Sequence, residues 1–223
     1  MFTIVISRFN EDLEWLKEPR FENHKIVCYN KGADDLFYKH PKMEIISLPN
    51  VGMCNHTYLY HIINNYDNLD DLTLFLPGSC MDANKVGPTN ITFYRMLQTQ
   101  DSVFAISGMN DMLAYLYNFT LEYWRVSNSQ NIKSEHDGAL KLCSIRPFGK
   151  FYQHYFGNLH TAGVNYFSIY GVTKTHIRQS PKKLFEDLID HVDKDTHTEA
   201  AHYLERMALA MFHPIPEHCL IYY

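Results

Sequence analysis

Residues 1–12 read MFTIVISRFNED, a β-branched run that stops abruptly in polar and charged side chains. The pattern returns as KIVCYNKG at 25–32, EIISLPNVG at 44–52 and LTLFLPG at 72–78. Each is a short apolar run closed by Asn, Gly or Pro. Runs that are apolar at every position, not at alternate ones, belong to strands buried on both faces. Such strands occur in mostly parallel sheets covered by helices. Between the third and fourth runs, Leu59, Ile62, Ile63 and Tyr66 recur at i, i+3, i+4 and i+7, the stripe of an amphipathic helix. The expected fold is α/β: one domain over 1–223 with a mostly parallel, Rossmann-like central sheet flanked by helices.

Further along, Glu11–Leu16 reads as a short helix stopped by Pro19, Asn90–Gln100 as a helix, and Ser102–Ser107 and Gly163–Tyr170 as strands. Pro181 opens a helix whose apolar face carries Leu184, Phe185, Leu188, Ile189 and Val192. A last helix, Thr198–Phe212, turns Ala201, Leu204, Ala208 and Met211 inward and ends before Pro214. Residues 108–150 are rich in Tyr, Asn and Ser with weak periodicity, and long active-site loops are expected there. Tyr94, Tyr115, Tyr117, Tyr123, Trp124, Tyr152 and Tyr155 crowd this middle region, as either core or a groove for a carbohydrate acceptor.

The chain has 46% apolar residues and 14 Phe, 16 Tyr and 2 Trp, enough to build a core and to exclude a disordered chain. Its 20 basic against 25 acidic residues leave no excess positive charge for a nucleic-acid backbone. The longest apolar runs, such as Phe2–Ile6 and Leu72–Leu76, are strand-sized and far short of a membrane span. No signal-peptide pattern opens the chain. The 5 cysteines are scattered without a C-x-x-C pair and read as reduced thiols, so the expected location is cytoplasmic. The 13 histidines include no H-E-x-x-H and no zinc-ligand spacing.

In open parallel sheets, ligands bind beyond the carboxyl ends of the strands. Four strand exits therefore define the candidate site: 7–12, 30–32, 50–56 and 77–82. Asn50 and Gly52 precede a helix whose first amides are unpaired, a setting that favours a diphosphate. His56 lies on its first turn, as a ligand contact or as a core histidine. Glu205 borders the buried stripe of the last helix. Partial burial there would raise its pKa toward that of a general base, with Arg206 beside it facing leaving phosphates. A helix-edge ion pair is the plainer reading of the two. Asp193-Lys194-Asp195 sits between the last two helices and reads as a solvated charge cluster.

IVISRFNEDLEWL at 4–16, YNKG at 29–32, NVG at 50–52, HTYLYHIINNYD at 56–67 and LFLPG at 74–78 carry a resemblance. GVNYF at 163–167, Ile177-x-x-x-Pro181 and YLER at 203–206 extend it. The chain resembles a family of fungal, bacterial and large-virus proteins that is similar to nucleotide-sugar glycosyltransferases of the GT-A fold. The resemblance implies sugar transfer from a nucleotide-sugar donor to a hydroxyl on a glycan or small acceptor. Residues 1–107 would bind the nucleotide and 108–223 the acceptor, in the host cytoplasm if the protein is virus-encoded.

By the same resemblance, Ser7, Arg8, Asn10 and Asp12 would line base and ribose, Lys31 and Gly32 would flank them, and Asn50 and Gly52 would adjoin the diphosphate. Asp82 stands roughly where such enzymes carry an Asp-x-Asp that holds Mn²⁺ or Mg²⁺, but Ser79-Cys80-Met81-Asp82 offers one carboxylate. Met53-Cys54 replaces an Arg-Glu pair. Those two departures support the alternative, an inactive nucleotide- or glycan-binding protein of the same fold.

Overall fold

The computed structural model describes residues 1–108, 112–122 and 140–222. Strands β1 (Thr3–Arg8), β2 (Lys25–Asn30), β3 (Met43–Ser47) and β4 (Leu72–Pro77) occupy the four apolar runs. They pair in parallel, β2 on one side of β1 and β4 on the other, with β3 outside β2. Helix α1 (Met53–Asn65) links β3 to β4. Alternate strand residues face opposite layers. Val5, Val27 and Phe75 pack against Tyr58, Leu59 and Ile62 of α1. Ile4, Ile6, Ile26 and Leu74 pack on the other side with Phe21, Phe93 and Met96. Both faces of β1, β2 and β4 are covered, which is why these runs are almost continuously apolar, whereas β3 is an edge strand and largely exposed.

The remainder is less parallel than expected. After α2 (Val86–Thr99) come β5 (Val103–Gly108), β6 (Gly163–Val164), β7 (Tyr170–Thr173) and β8 (Leu220–Tyr222). Among the described residues the sheet has 8 strands in the order β3-β2-β1-β4-β7-β5-β6, with β8 beside β5. Strand β7 lies antiparallel between β4 and β5, so the sheet is mixed. The expected single strand Gly163–Tyr170 is cut in two by an excursion at 165–169; both pieces run antiparallel to β5, so the chain keeps its direction across it. Phe167 and Ser168 adopt left-handed backbone (φ 71 and 55). The Asn165 amide donates to Ala105 O at 2.7 Å and Ile169 O at 2.9 Å, which fastens that turn to the sheet.

Helices α3 (Met112–Leu116) and α4 (Phe148–Phe156) replace part of the expected long loops, while Tyr123 and Trp124 lie outside the described residues. After α5 (Lys174–Ile177), Pro181 caps α6 (Lys182–Ile189), which buries Phe185 and Leu188. The expected last helix is broken at Met207 (φ -108) into α7 (Glu199–Arg206) and α8 (Ala208–Met211). Thr198 caps α7 by accepting from the Ala201 amide. Glu199, with 0% exposure, ties α7 to two loops: it accepts from Leu121 N, Cys143 N and the Tyr203 hydroxyl, and pairs with Arg146 at 2.8 Å. Glu11–Leu16 forms no α-helix; a single 3-10 turn covers Glu14–Lys17. No described helix is long and apolar enough to cross a membrane.

Candidate active site

The chain steps from β1 to β2 and β3 in one direction, then returns to place β4 on the other side of β1. This reversal splays the loops that leave β1 and β4, and an open α/β sheet binds ligands in the crevice so formed. A cavity of about 540 Å³ lies there. Its walls come from the β1 exit (Ser7, Glu11), the start of α1 (Met53, Cys54), the β4 exit (Ser79, Lys85), the turn before β7 (Phe167) and α7 (Glu205).

The first turn of α1 is unusual. Gly52 and Met53 are both left-handed (φ 57 and 51). A Cβ on Gly52 would lie 2.2 Å from Val192 O, so only glycine allows this approach. Lys31 holds the turn from below, with its ammonium donating to Val51 O and, at 2.6 Å, to Met53 O. Burial lowers the Lys31 pKa to about 8, which leaves it mainly charged at neutral pH. A positive charge thus sits beneath helix amides that already favour anions. Asp195 O accepts from Gly52 N at 2.9 Å and the Thr196 hydroxyl donates to Asn50 O, so the segment beside the expected solvated cluster packs on this turn.

Across the cavity, Lys85 donates to the Ser79 hydroxyl at 2.6 Å. Its charge and that of Lys31 both favour the Cys54 thiolate, although burial dominates and pushes that thiol pKa up. Glu205 accepts from Phe167 N at 2.8 Å through Oε1 and lies 3.5 Å from Arg206 through Oε2. Burial raises its pKa, against the opposing pull of Arg206, the Phe167 amide and Lys85. The site therefore offers two ammonium groups, a helix N-terminus and a carboxyl group whose proton is held more tightly than usual.

Of the residues singled out from sequence, Ser7, Arg8, Lys31, Asn50 and Glu205 line the cavity. The Ser7 hydroxyl shares a 2.9 Å hydrogen bond with Thr57. The Arg8 guanidinium is committed internally: to Glu11 O, Phe9 O, Asn30 Oδ1 and Asp34 Oδ1, with Phe37 4.1 Å away as a stacking face. It fastens the β1 and β2 exits together, and so shapes the cavity instead of reaching for a ligand.

Asn10, Asp12, Gly32, Gly52, His56, Asp82 and Arg206 lie outside the lining. Asn10 and Asp12 are exposed, and Asp12 caps the Glu14 amide at 3.0 Å. Gly32 permits tight contact, since a Cβ there would fall 1.8 Å from Phe9 O. His56 is a buried ring beside Tyr60, with its pKa lowered to about 4, first by burial and then by Lys31. Arg206 turns onto the Phe119 ring at 4.0 Å and donates to His202 O.

Glu11 and Cys54 lie in exits marked from sequence but were given no role there, and Lys85 and Phe167 lie outside those exits. Glu11 lies within the first exit and takes the Phe9 and Asn10 amides on one oxygen at 2.8 and 3.2 Å. Lys85 lies beyond the fourth exit and reaches the cavity because the turn after β4 folds back; only its spacing of three residues from Asp82 hinted at this.

A hard divalent cation needs several converging oxygens. Asp82 is outside the lining and its nearest charged neighbour is the Lys85 ammonium, 3.9 Å away. One oxygen of Glu11 and one of Glu205 are already taken by backbone amides. No group of three or more His, Cys or carboxylate ligands gathers at the cavity for Mn²⁺ or Mg²⁺ among the described residues. Among the described residues, Asp101, His218 and Cys219 have ligand atoms within 4.8 Å of one another. They precede β5 and β8, at the opposite end of the sheet from the cavity.

A comparison with curated proteins returns no match. The family model described as "Protein of unknown function (DUF3431)" matches residues 4–222, so the chain belongs to that family.

Proposed function

We propose that the protein is a glycosyltransferase of GT-A-like architecture that moves a sugar from a nucleotide-sugar donor to a hydroxyl acceptor. One observation carries the reading: the cavity at the β1/β4 reversal sets two lysines and a helix N-terminus opposite a partly buried carboxyl group. The cationic side suits a diphosphate. Glu11, in the loop after β1, accepts hydrogen bonds from the ribose hydroxyls, and Phe9 at the mouth offers a ring face to the base.

Glu205 takes the proton of the acceptor hydroxyl. The acceptor oxygen bonds to the anomeric carbon as the bond from that carbon to the diphosphate oxygen breaks, and its electron pair leaves with the nucleoside diphosphate. The Phe167 amide keeps one Glu205 oxygen oriented, so the other receives the proton. Arg206 lies on Phe119 and steadies Glu205 instead of meeting phosphate.

The test is thermal melting with nucleoside diphosphates, followed by donor-consumption assays with nucleotide sugars. A ligand that binds the folded state raises the midpoint. Glu205→Gln should keep the midpoint shift and lose about a hundredfold or more of the turnover. Equal turnover in Glu205→Gln would remove the base assignment. Nucleotide binding without consumption of any donor would favour the alternative, a binding protein on the same scaffold.

A further inference from the structure

Among the described residues no group of three or more His, Cys or carboxylate ligands gathers at the cavity, yet it does not lack positive charge. Lys85 lines it, held by Ser79 at 2.6 Å. Lys31 lies under the α1 turn, 7% exposed, and its two carbonyl partners fix where its charge sits. The pocket residues Met53, Cys54 and Asn55 form the first turn of α1, a helix of 13 residues, where backbone amides have no partner within the helix. Lys31, Cys54, Lys85 and Glu205 line the same cavity, and the charge of Lys85 acts on both Cys54 and Glu205. Lys85 thus shares the cavity with both the anion-binding turn and the proposed base.

We propose that Lys85, acting across from the α1 N-terminus and Lys31, takes the place of a divalent cation in holding and neutralising the diphosphate of the donor, so that donor binding and release of the leaving group need no metal. This inference rests on the donor-binding reading of the cavity. A lysine ammonium is a compact charge with three donors and binds phosphate without demanding a coordination geometry. Held at one oxygen by Ser79, it retains protons for phosphate oxygens. As the bond to the sugar breaks, negative charge builds on the bridging oxygen, and a fixed cation there stabilises the transition state more than the ground state.

The experiment is calorimetric titration of the full chain with ADP, CDP, GDP and UDP, in excess EDTA and again with Mn²⁺. The expected result is binding of at least one in EDTA, with affinity changed less than about twofold by Mn²⁺. Lys85→Gln should weaken it roughly ten- to a hundredfold, the range for a lost charge-assisted contact, and flatten its salt dependence. Lys85→Arg should keep most of the affinity. Lys85 is partly exposed and its hydrogen-bond partner is Ser79, so both variants are expected to fold, and an unchanged melting midpoint without ligand checks this. Binding that appears only with Mn²⁺ overturns the inference and leaves the donor-binding reading standing. Unchanged affinity in a folded Lys85→Gln does the same. If none of the nucleotides binds under either condition, the donor-binding reading itself falls and takes the inference with it.

Discussion

Acidification should unfold this protein well above the carboxylate range, because three buried imidazoles must take up protons when the chain opens. His56 and His61 are each 5% exposed. Burial is the main reason that His56, His61 and His202 have pKa values lowered from 6.5 to about 4. Secondary influences differ: Lys31 lowers and Asp193 raises that of His56, Asp70 raises and Lys25 lowers that of His61, and Arg206 and His197 lower while Glu199 raises that of His202. His61 shares a 3.0 Å hydrogen bond with the Tyr29 hydroxyl and packs edge-on against Phe75, a neutral setting.

Between the folded and unfolded pKa values the unfolded chain binds more protons, so stability falls as pH falls through that window. From about pH 7 to about pH 5 each ring removes just under about 2 kcal/mol, and the three together roughly 5–6 kcal/mol. That is a large share of the roughly 5–15 kcal/mol that holds a typical domain folded. Glu205, with a raised pKa, opposes the trend, since its protonated form favours the folded state above the ordinary carboxylate value. Glu199 and Asp70, with lowered pKa values, contribute stability that is lost only below that range. Urea unfolding at constant ionic strength, followed by intrinsic fluorescence at several pH values, gives the slope directly. His61→Gln should flatten it by about a third. A free energy of unfolding constant to within about 1 kcal/mol over this interval would refute the reasoning.

Gly52→Ala forces a side chain into left-handed backbone and onto Val192 O, and should lose at least about 2 kcal/mol, seen as a melting point lower by roughly 5 °C or more; an unchanged melting point would count against the strained turn. Glu199→Ala leaves Arg146 and two loop amides without their buried acceptor, and should destabilise by about 3–5 kcal/mol in urea titrations, whereas a loss under about 1 kcal/mol would show the hub to be dispensable. Activity that depends on ionised Glu205 should rise with pH through a limb above the ordinary carboxylate value of 4.5; a limb at or below that value would contradict its burial.

Much of the architecture was legible before any coordinates. The four apolar runs became β1 to β4, and some of the polar residues that close them, Ser7, Lys31, Asn50 and Ser79, line the cavity. Strands β1, β2 and β4 are buried on both faces and so are nearly continuous in apolar residues, while β3 is an exposed edge. Local chemistry also placed the helix before β4 and the Pro181 start of α6. The antiparallel pairing of β7 with β4 and β5 was not legible, since it depends on where the chain enters the sheet; nor was the turn at Phe167 and Ser168, which is held by Asn165 reaching across to β5.

The division at the candidate site is similar. The strand-exit rule put Lys31 in the candidate site, and helical spacing put Glu205 at the edge of a buried stripe. Only the packed structure decided that Arg8 is occupied by its own loops, that Asp82 stays outside while Lys85 turns in, and that Arg206 rests on Phe119. Those outcomes depend on contacts between residues far apart in the chain. One-dimensional periodicity records which face of an element is buried, but not which neighbour that face meets.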